Sequence, residues 1–145
     1  MMAEAETTFP ASVVVHDLSQ ARRVLRAARQ VDRPVHLISA KGAGAYLGPA
    51  LFKEIIDQAR EAEPSARATC CLDCGDEAGT AMNALRHGVE GVSLDGSQDV
   101  IAKVRDAAEQ KGQRLDPRPE KALDMAAPDS SAVLEAWLLG DTVDD

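Results

Sequence analysis

Four short apolar runs alternate with four segments of helical period between Ser12 and Gly112, and this alternation limits the fold more than any other feature. Ser-Val-Val-Val-His (12–16), Val-His-Leu-Ile-Ser (35–39), Ala-Thr-Cys-Cys-Leu (68–72) and Gly-Val-Ser-Leu (91–94) are each too short for a buried helix and read as strands. Between them Leu18, Ala21, Val24, Leu25 and Ala28 recur at helical spacing, as do Leu51, Phe52, Ile55, Ile56 and Ala59. Ala78, Ala81, Met82 and Leu85 form a third stripe, and Val100, Ile101, Val104 and Ala108 a fourth, which ends near Gly112. Asp17 with Gln20 predicts a capping box, Asp76 and Ser97 predict caps, and Gly88 predicts a left-handed helix end.

Strict β–α alternation predicts a parallel α/β sheet with right-handed crossovers. Two architectures satisfy it. One is half of a TIM barrel, curved, with four or five strands and helices on one face; the other is an open doubly wound, flavodoxin-like sheet. At 145 residues the chain supports one core but falls short of the roughly 250 residues of a complete eightfold barrel. The predicted organisation is a disordered tail over 1–11, an α/β domain over 12–112, and an extended arm with a short C-terminal helix over 113–145. Pro117, Pro119 and Pro128 break regular structure in the arm, which is expected to begin with a short fifth strand. Val133, Leu134, Trp137 and Leu138 then form a stripe about two turns long that must dock on something.

A formal charge of −8 with no basic stripe argues against nucleic acid and anionic membranes as partners. No apolar run reaches bilayer length, and the acidic N-terminus does not resemble a signal peptide. Three cysteines, an odd number, suit a reducing compartment, so a cytoplasmic location is expected.

Thr69–Ser97 carries most of the functional information. An apolar run ends in Leu72-Asp73-Cys74-Gly75-Asp76, a helix follows to Gly88, and the next run ends in Asp95-Gly96-Ser97. With Pro34-Val35 and Gly42-Ala43…Tyr46-Leu47-Gly48, in order and at matching separations, this resembles the first half of the class II (zinc-dependent, fructose- or tagatose-bisphosphate type) aldolase barrel, over Val13 to Arg105. The resemblance implies that Asp73 occupies the position of the catalytic acid/base and that Cys74 replaces a zinc-binding His. It also implies a Ser in the loop after the second strand, where Ala40 stands beside Ser39. The family's other zinc ligands and phosphate loops belong to the barrel's second half. A catalytic zinc needs three protein ligands and an open position. No cofactor is therefore expected; zinc is the alternative, with Cys74 and His16 as its ligands if any.

His16, Ser39, Lys41, Asp73, Cys74, Asp76 and Asp95 are all predicted at carboxyl ends of strands, the edge where parallel α/β proteins bind ligands. Asp73 and Cys74 are the catalytic candidates; His16, Ser39, Lys41, Gly42, Asp76, Asp95 and Ser97 are the ligand-binding candidates. The bland reading makes Asp76 and Ser97 helix caps, Asp95 a turn residue, and His36 and His87 structural. Gly42-x-Gly44 beside Lys41 has backbone N–H groups that could cradle phosphate, although the full phosphate-loop patterns are absent. Cys70 and Cys71 are expected to be small buried hydrophobes on opposite strand faces. Cys74, near a helix N-terminus, is expected to have a lowered pKa and to be the reactive thiol.

These features favour an aldolase-like half-barrel without classical aldolase activity, acting as a small-ligand-binding, regulatory or assembly protein. The alternative is a lyase or isomerase acting on a small carbonyl or phosphorylated compound, with Asp73 as general acid/base. Two exposed sheet edges favour a homo-oligomer, with the arm and Trp137 wrapping a neighbour.

Overall fold

The computed structural model describes residues 9–140. The elements are β1 (Ser12–Val14), α1 (Leu18–Val31), β2 (Val35–Ile38), α2 (Ala43–Tyr46), α3 (Pro49–Ala62), β3 (Ala68–Asp73), α4 (Ala78–Arg86), β4 (Gly91–Ser93), α5 (Gln98–Gln110), β5 (Arg114–Leu115), β6 (Leu123–Asp124) and α6 (Ser130–Leu138). The sheet is open and all-parallel, in the order β5-β4-β3-β2-β1-β6.

Local chemistry explains most boundaries. The Asp17 side chain accepts from the Gln20 N–H at 2.8 Å and starts α1. Gln20 reaches back to the His16 N–H at 2.8 Å, one residue before the cap, so the expected box closes in a shifted form. The Ser97 side chain accepts from the Val100 N–H at 3.3 Å and starts α5. Gly88 ends α4 at φ +85°, a conformation that disfavours a side chain. The α4 cap is a correction: Glu77, not Asp76, occupies that position, without a side-chain cap bond, and Asp76 is exposed. Leu51 is a second correction, being half exposed where an inward position was expected.

Alternation along the strands separates two faces. Val13, Leu37, Cys70, Leu72 and Val92 belong to one large core with Val24, Leu25, Phe52, Ile56, Leu85 and Val104 of the helices. The opposite face holds a small separate cluster, Val14, Ile38 and Cys71, to which no helix contributes. Cys70 and Cys71 thus do point to opposite faces. Helices on one face and none on the other is the half-barrel arrangement, and the helix-free face corresponds to a barrel's interior.

The C-terminal segment has an unexpected course. β5 forms where a fifth strand was expected, beside β4. The chain then crosses to the far edge, where β6 pairs in parallel with β1 and α6 packs on α1. In a closed barrel the place beside β1 belongs to the last strand. β6 and α6 therefore stand where a final strand–helix unit would stand. Five inter-strand spacings at about 4.8 Å make roughly 24 Å along the sheet, and the eight steps from Leu115 to Leu123 are long enough to cross the shorter chord of its curved face. Pro117 and Pro119 fix their own φ and push Asp116 and Arg118 towards extended backbone, so the sequence suits a strap. Ala122 of this strap packs on the Val14–Ile38–Cys71 cluster, which places the crossing on the helix-free face.

The Trp137 Nε1–H donates to the Ser12 carbonyl at 2.9 Å, so this side chain docks within its own chain. Phe9, within the expected tail, stacks on His36 at 4.2 Å between ring centroids; the tail's first eight residues lie outside those described. No helix among the described residues is long and apolar enough to cross a membrane.

Candidate functional site

The strand ends converge on Asp73, the last residue of β3. Its Oδ1 accepts from the Gly42 N–H at 2.8 Å and the Gly75 N–H at 2.9 Å. Its Oδ2 accepts from the Ser93 hydroxyl at 2.9 Å and from Arg118 Nη1 at 3.1 Å. The backbone N–H of Asp73 donates to the Ser39 hydroxyl at 2.9 Å, which in turn donates to the Ala40 carbonyl. Arg118 Nη1 also donates to the Ser39 carbonyl at 3.2 Å. The loops after β2 and β3, the end of β4 and the strap are thereby joined through one carboxylate.

Burial raises the Asp73 pKa, but the two amides, Ser93 and Arg118 together outweigh it and hold the carboxyl below its ordinary value. Asp73 is an ionised anchor whose oxygens each already serve two donors. Beside it lies an open depression of about 460 Å³, lined by Lys41, Asp73, Ser93, Asp95, Asp116 and Arg118 among others. Asp116 is buried and paired with the Arg114 guanidinium at 2.9 Å.

Of the expected site residues, Asp73, Ser39, Lys41, Gly42 and Asp95 come together here. Gly42 does so differently from the phosphate-cradle reading, because its N–H is spent on Asp73. Gly44 serves close packing: a Cβ there would meet the Asp73 carbonyl and Cys74 Sγ at 3.1 Å each. His16 lies apart, at the β1 edge, with Nε2 2.7 Å from Asp124. Asp76 and Ser97 are exposed, and neither lines the depression.

Cys74 is the main correction. It is 1% exposed and belongs to the helix-side core, with Sγ 3.6 Å from the Leu72 carbonyl. Burial, then the negative charges of Asp73 and Glu77, push its thiol up to about 12. The helix N-terminus does not offset that desolvation, so the thiol expected to have a lowered pKa has a raised one. The same placement bears on zinc. A ligand at Cys74 would have to ionise inside an apolar layer, facing away from the other rim donors. Among the described residues no three of His, Cys, Asp and Glu group so as to hold a metal ion. The residues present do not fit the family's zinc.

Sequence reasoning missed Ser93, Asp116 and Arg118. Ser93 had a signal, since it shares the helix-free face of β4 with Gly91 by alternation. Arg118 had a weaker one, its position between two prolines.

Comparison with known proteins agrees with this geometry. The profile of the family described as fructose-bisphosphate aldolase class-II matches residues 2–110. Fructose-bisphosphate aldolase 1 of Cereibacter sphaeroides is 32% identical over 83 residues, 57% of this chain and 23% of that protein. The fructose-bisphosphate aldolase of Nostoc commune is 33% identical over 89 residues, 61% of this chain and 25% of that protein. The chain thus spans about a quarter of the length of these curated relatives. The crystal structure of the YdjI aldolase of Escherichia coli K12 superposes with a TM-score of 0.61 at 16% identity, over 92% of this chain and 52% of that one. That likeness concerns the fold and extends past the stretch of sequence similarity, into the strap region. By the match over most of its length, this chain belongs to the class II fructose-bisphosphate aldolase family.

Proposed function

We propose that this chain is a small-ligand-binding protein built on the aldolase half-barrel, which does not carry out the aldolase reaction for which its relatives are named. The carrying observation is the state of Asp73. A general acid/base needs a pKa near working pH and a lone pair free for the substrate's proton. Asp73 has neither: it is held ionised, and Gly42, Gly75, Ser93 and Arg118 use both its oxygens. Such a carboxylate suits binding and orientation. The three unpaired thiols support a cytoplasmic setting.

Self-association belongs to the same reading, with a narrower geometry than two open edges alone suggest. The strap takes the face through which two half-barrels would share a lumen. A homodimer would use the outer edges of β5 and β6 or the exposed Tyr46 and Leu51 near the rim. Light scattering at micromolar concentration should give twice the chain mass, and a single-chain mass would remove this part of the reading.

The test of the main reading is incubation with fructose bisphosphate, with and without zinc, followed by an assay for triose phosphates. No release above that of the Asp73→Ala protein is expected. Zinc-stimulated release that depends on Asp73 would replace the binding reading with the catalytic one.

A further inference from the structure

The rim contains a socket with a side chain of this chain already in it. Asp73 Oδ2 and the Ser39 carbonyl, both acceptors, face the same nitrogen, Arg118 Nη1, at 3.1 and 3.2 Å. The carboxylate side chain is 8% exposed, and its other oxygen is fixed by two backbone N–H groups. A buried carboxylate beside a carbonyl that accepts from the same donor selects a donor-rich cation, because an anion or a pure acceptor would leave both groups desolvated and unmatched.

Arg118 fills this socket loosely. Only one of its nitrogens contacts the two acceptors, although a guanidinium can engage a carboxylate through two. Its carrier is held at the ends by strands of two residues each, β5 and β6. Among the described residues, no backbone hydrogen bond ties Pro117 to Lys121 to the rest of the chain. Pro117, Glu120 and Lys121 are exposed.

We propose that Asp73, the Ser39 carbonyl and Ser93 form a binding site for a small guanidinium or primary ammonium compound, which Arg118 occupies in cis until the strap lifts. The proposal rests on the ligand-binding reading above and names its ligand class. The depression along the strap provides the approach, and Asp95 on its wall adds negative charge. Lys41, on the same wall, disfavours a multiply charged cation, so the ligand carries a single cationic head. A socket blocked for most of the time weakens apparent affinity by the blocked fraction. The strap therefore sets the ligand concentration at which the site responds.

The test is an amide NMR titration with methylguanidinium chloride, with tetramethylammonium chloride as a control for charge alone. In Arg118→Ala the apparent dissociation constant should fall by roughly tenfold or more relative to the unaltered chain, with shifts at Gly42, Gly75 and Ser93. Asp73→Asn in that background should abolish them, and tetramethylammonium should not produce them. Equal affinity with and without Arg118, or binding that survives Asp73→Asn, overturns the proposal. If Arg118→Ala does not fold, Arg118→Gln is judged by the same criteria. Glyceraldehyde and inorganic phosphate separate this idea from its parent. Rim shifts with either of them but none with methylguanidinium overturn the cation socket alone. No rim shift with any probe overturns both.

Discussion

Arg118 and Asp73, 45 residues apart in sequence, meet at 3.1 Å over the carboxyl ends of the strands. The family resemblance implies an acid/base at the aspartate position. Here a residue from the arm has moved onto it, and the arm's own course explains how. A chain that leaves β5 and pairs next with β1 must cross the helix-free face, and the crossing passes over β3, which ends in Asp73. The same seven residues that cover the interior face also place a guanidinium on the buried Asp73 carboxylate at the rim. Covering the face and occupying the site are one event.

Asp73→Asn should destabilise the protein by about 1–3 kcal/mol. The asparagine oxygen can still serve the amides of Gly42 and Gly75, but its NH₂ would then face the donors of Ser93 and Arg118. A double-mutant cycle with Arg118→Ala in urea unfolding should show the two changes to be non-additive by at least about 0.5 kcal/mol. Strict additivity would mean that the pair contributes nothing beyond its separate contacts.

The three thiols should resist modification in the native state. Cys70 and Cys74 are each pushed up to about 12 by burial, and Cys71 is raised for the same reason. At pH 8, labelling with a disulfide reagent should run at least roughly a hundredfold slower than for a free thiol, and all three should react once urea unfolds the chain. Restoring the family residue by Cys74→His should destabilise the fold, by roughly 1–3 kcal/mol or more, without conferring zinc uptake on dialysis. Stoichiometric zinc in that variant would show that the core opens toward the rim more easily than its packing implies.

What the sequence made legible was whatever has a local cause. The β-branched run at Val13–Val15, the Asp17 and Ser97 caps and the Gly88 helix end all announce themselves within a few residues. The half-barrel is written in the alternation together with the family motifs. Cys74 was misread because its neighbours along the chain suggested a helix N-terminus. Carrying the β3 alternation one residue further would have put it on the Leu72 side, in the core, opposite Asp73. β6, two residues long, has no period to detect. The Arg118–Asp73 contact depends on which strand the arm pairs with after its crossing, and no local pattern encodes that choice.

Gly91→Ala should be poorly tolerated although Gly91 lies in a strand with ordinary backbone angles. A Cβ there would come within 2.6 Å of Arg114 Nη2 and Asp116 Oδ2 and 2.7 Å of the Cys70 carbonyl. Arg114 bridges that carbonyl and the buried Asp116 by lying across the glycine. One methyl group would displace the guanidinium and leave Asp116 unpaired, at a cost of about 2–4 kcal/mol. A fall of several degrees in Tm is the expected reading. An unchanged Tm would show that the Arg114 bridge is not needed.

Stability should fall as the pH drops below neutrality, before carboxylates begin to protonate. His36 is fully buried, stacked on Phe9, with Nδ1 2.6 Å from the Thr69 hydroxyl, and Nε2 has no partner among the described residues. Burial lowers its pKa to about 4; Asp116 opposes this, Arg114 reinforces it and Glu90 opposes it. The unfolded chain takes up a proton near pH 6.5 that the folded chain refuses until about pH 4. The His36 contribution is therefore fully present above pH 6.5 and is lost as the pH falls through that interval. It amounts to roughly 3 kcal/mol at most by proton linkage. Asp73, Glu63 and Glu90, all held below their ordinary values, add a further loss at the acidic end. Urea midpoints measured from pH 7.5 to 4.5 should decline in the unaltered protein and flatten between pH 6.5 and 5 in His36→Gln, whose side chain cannot take up a proton. A decline of equal slope in both proteins would assign the acid sensitivity to the carboxylates alone.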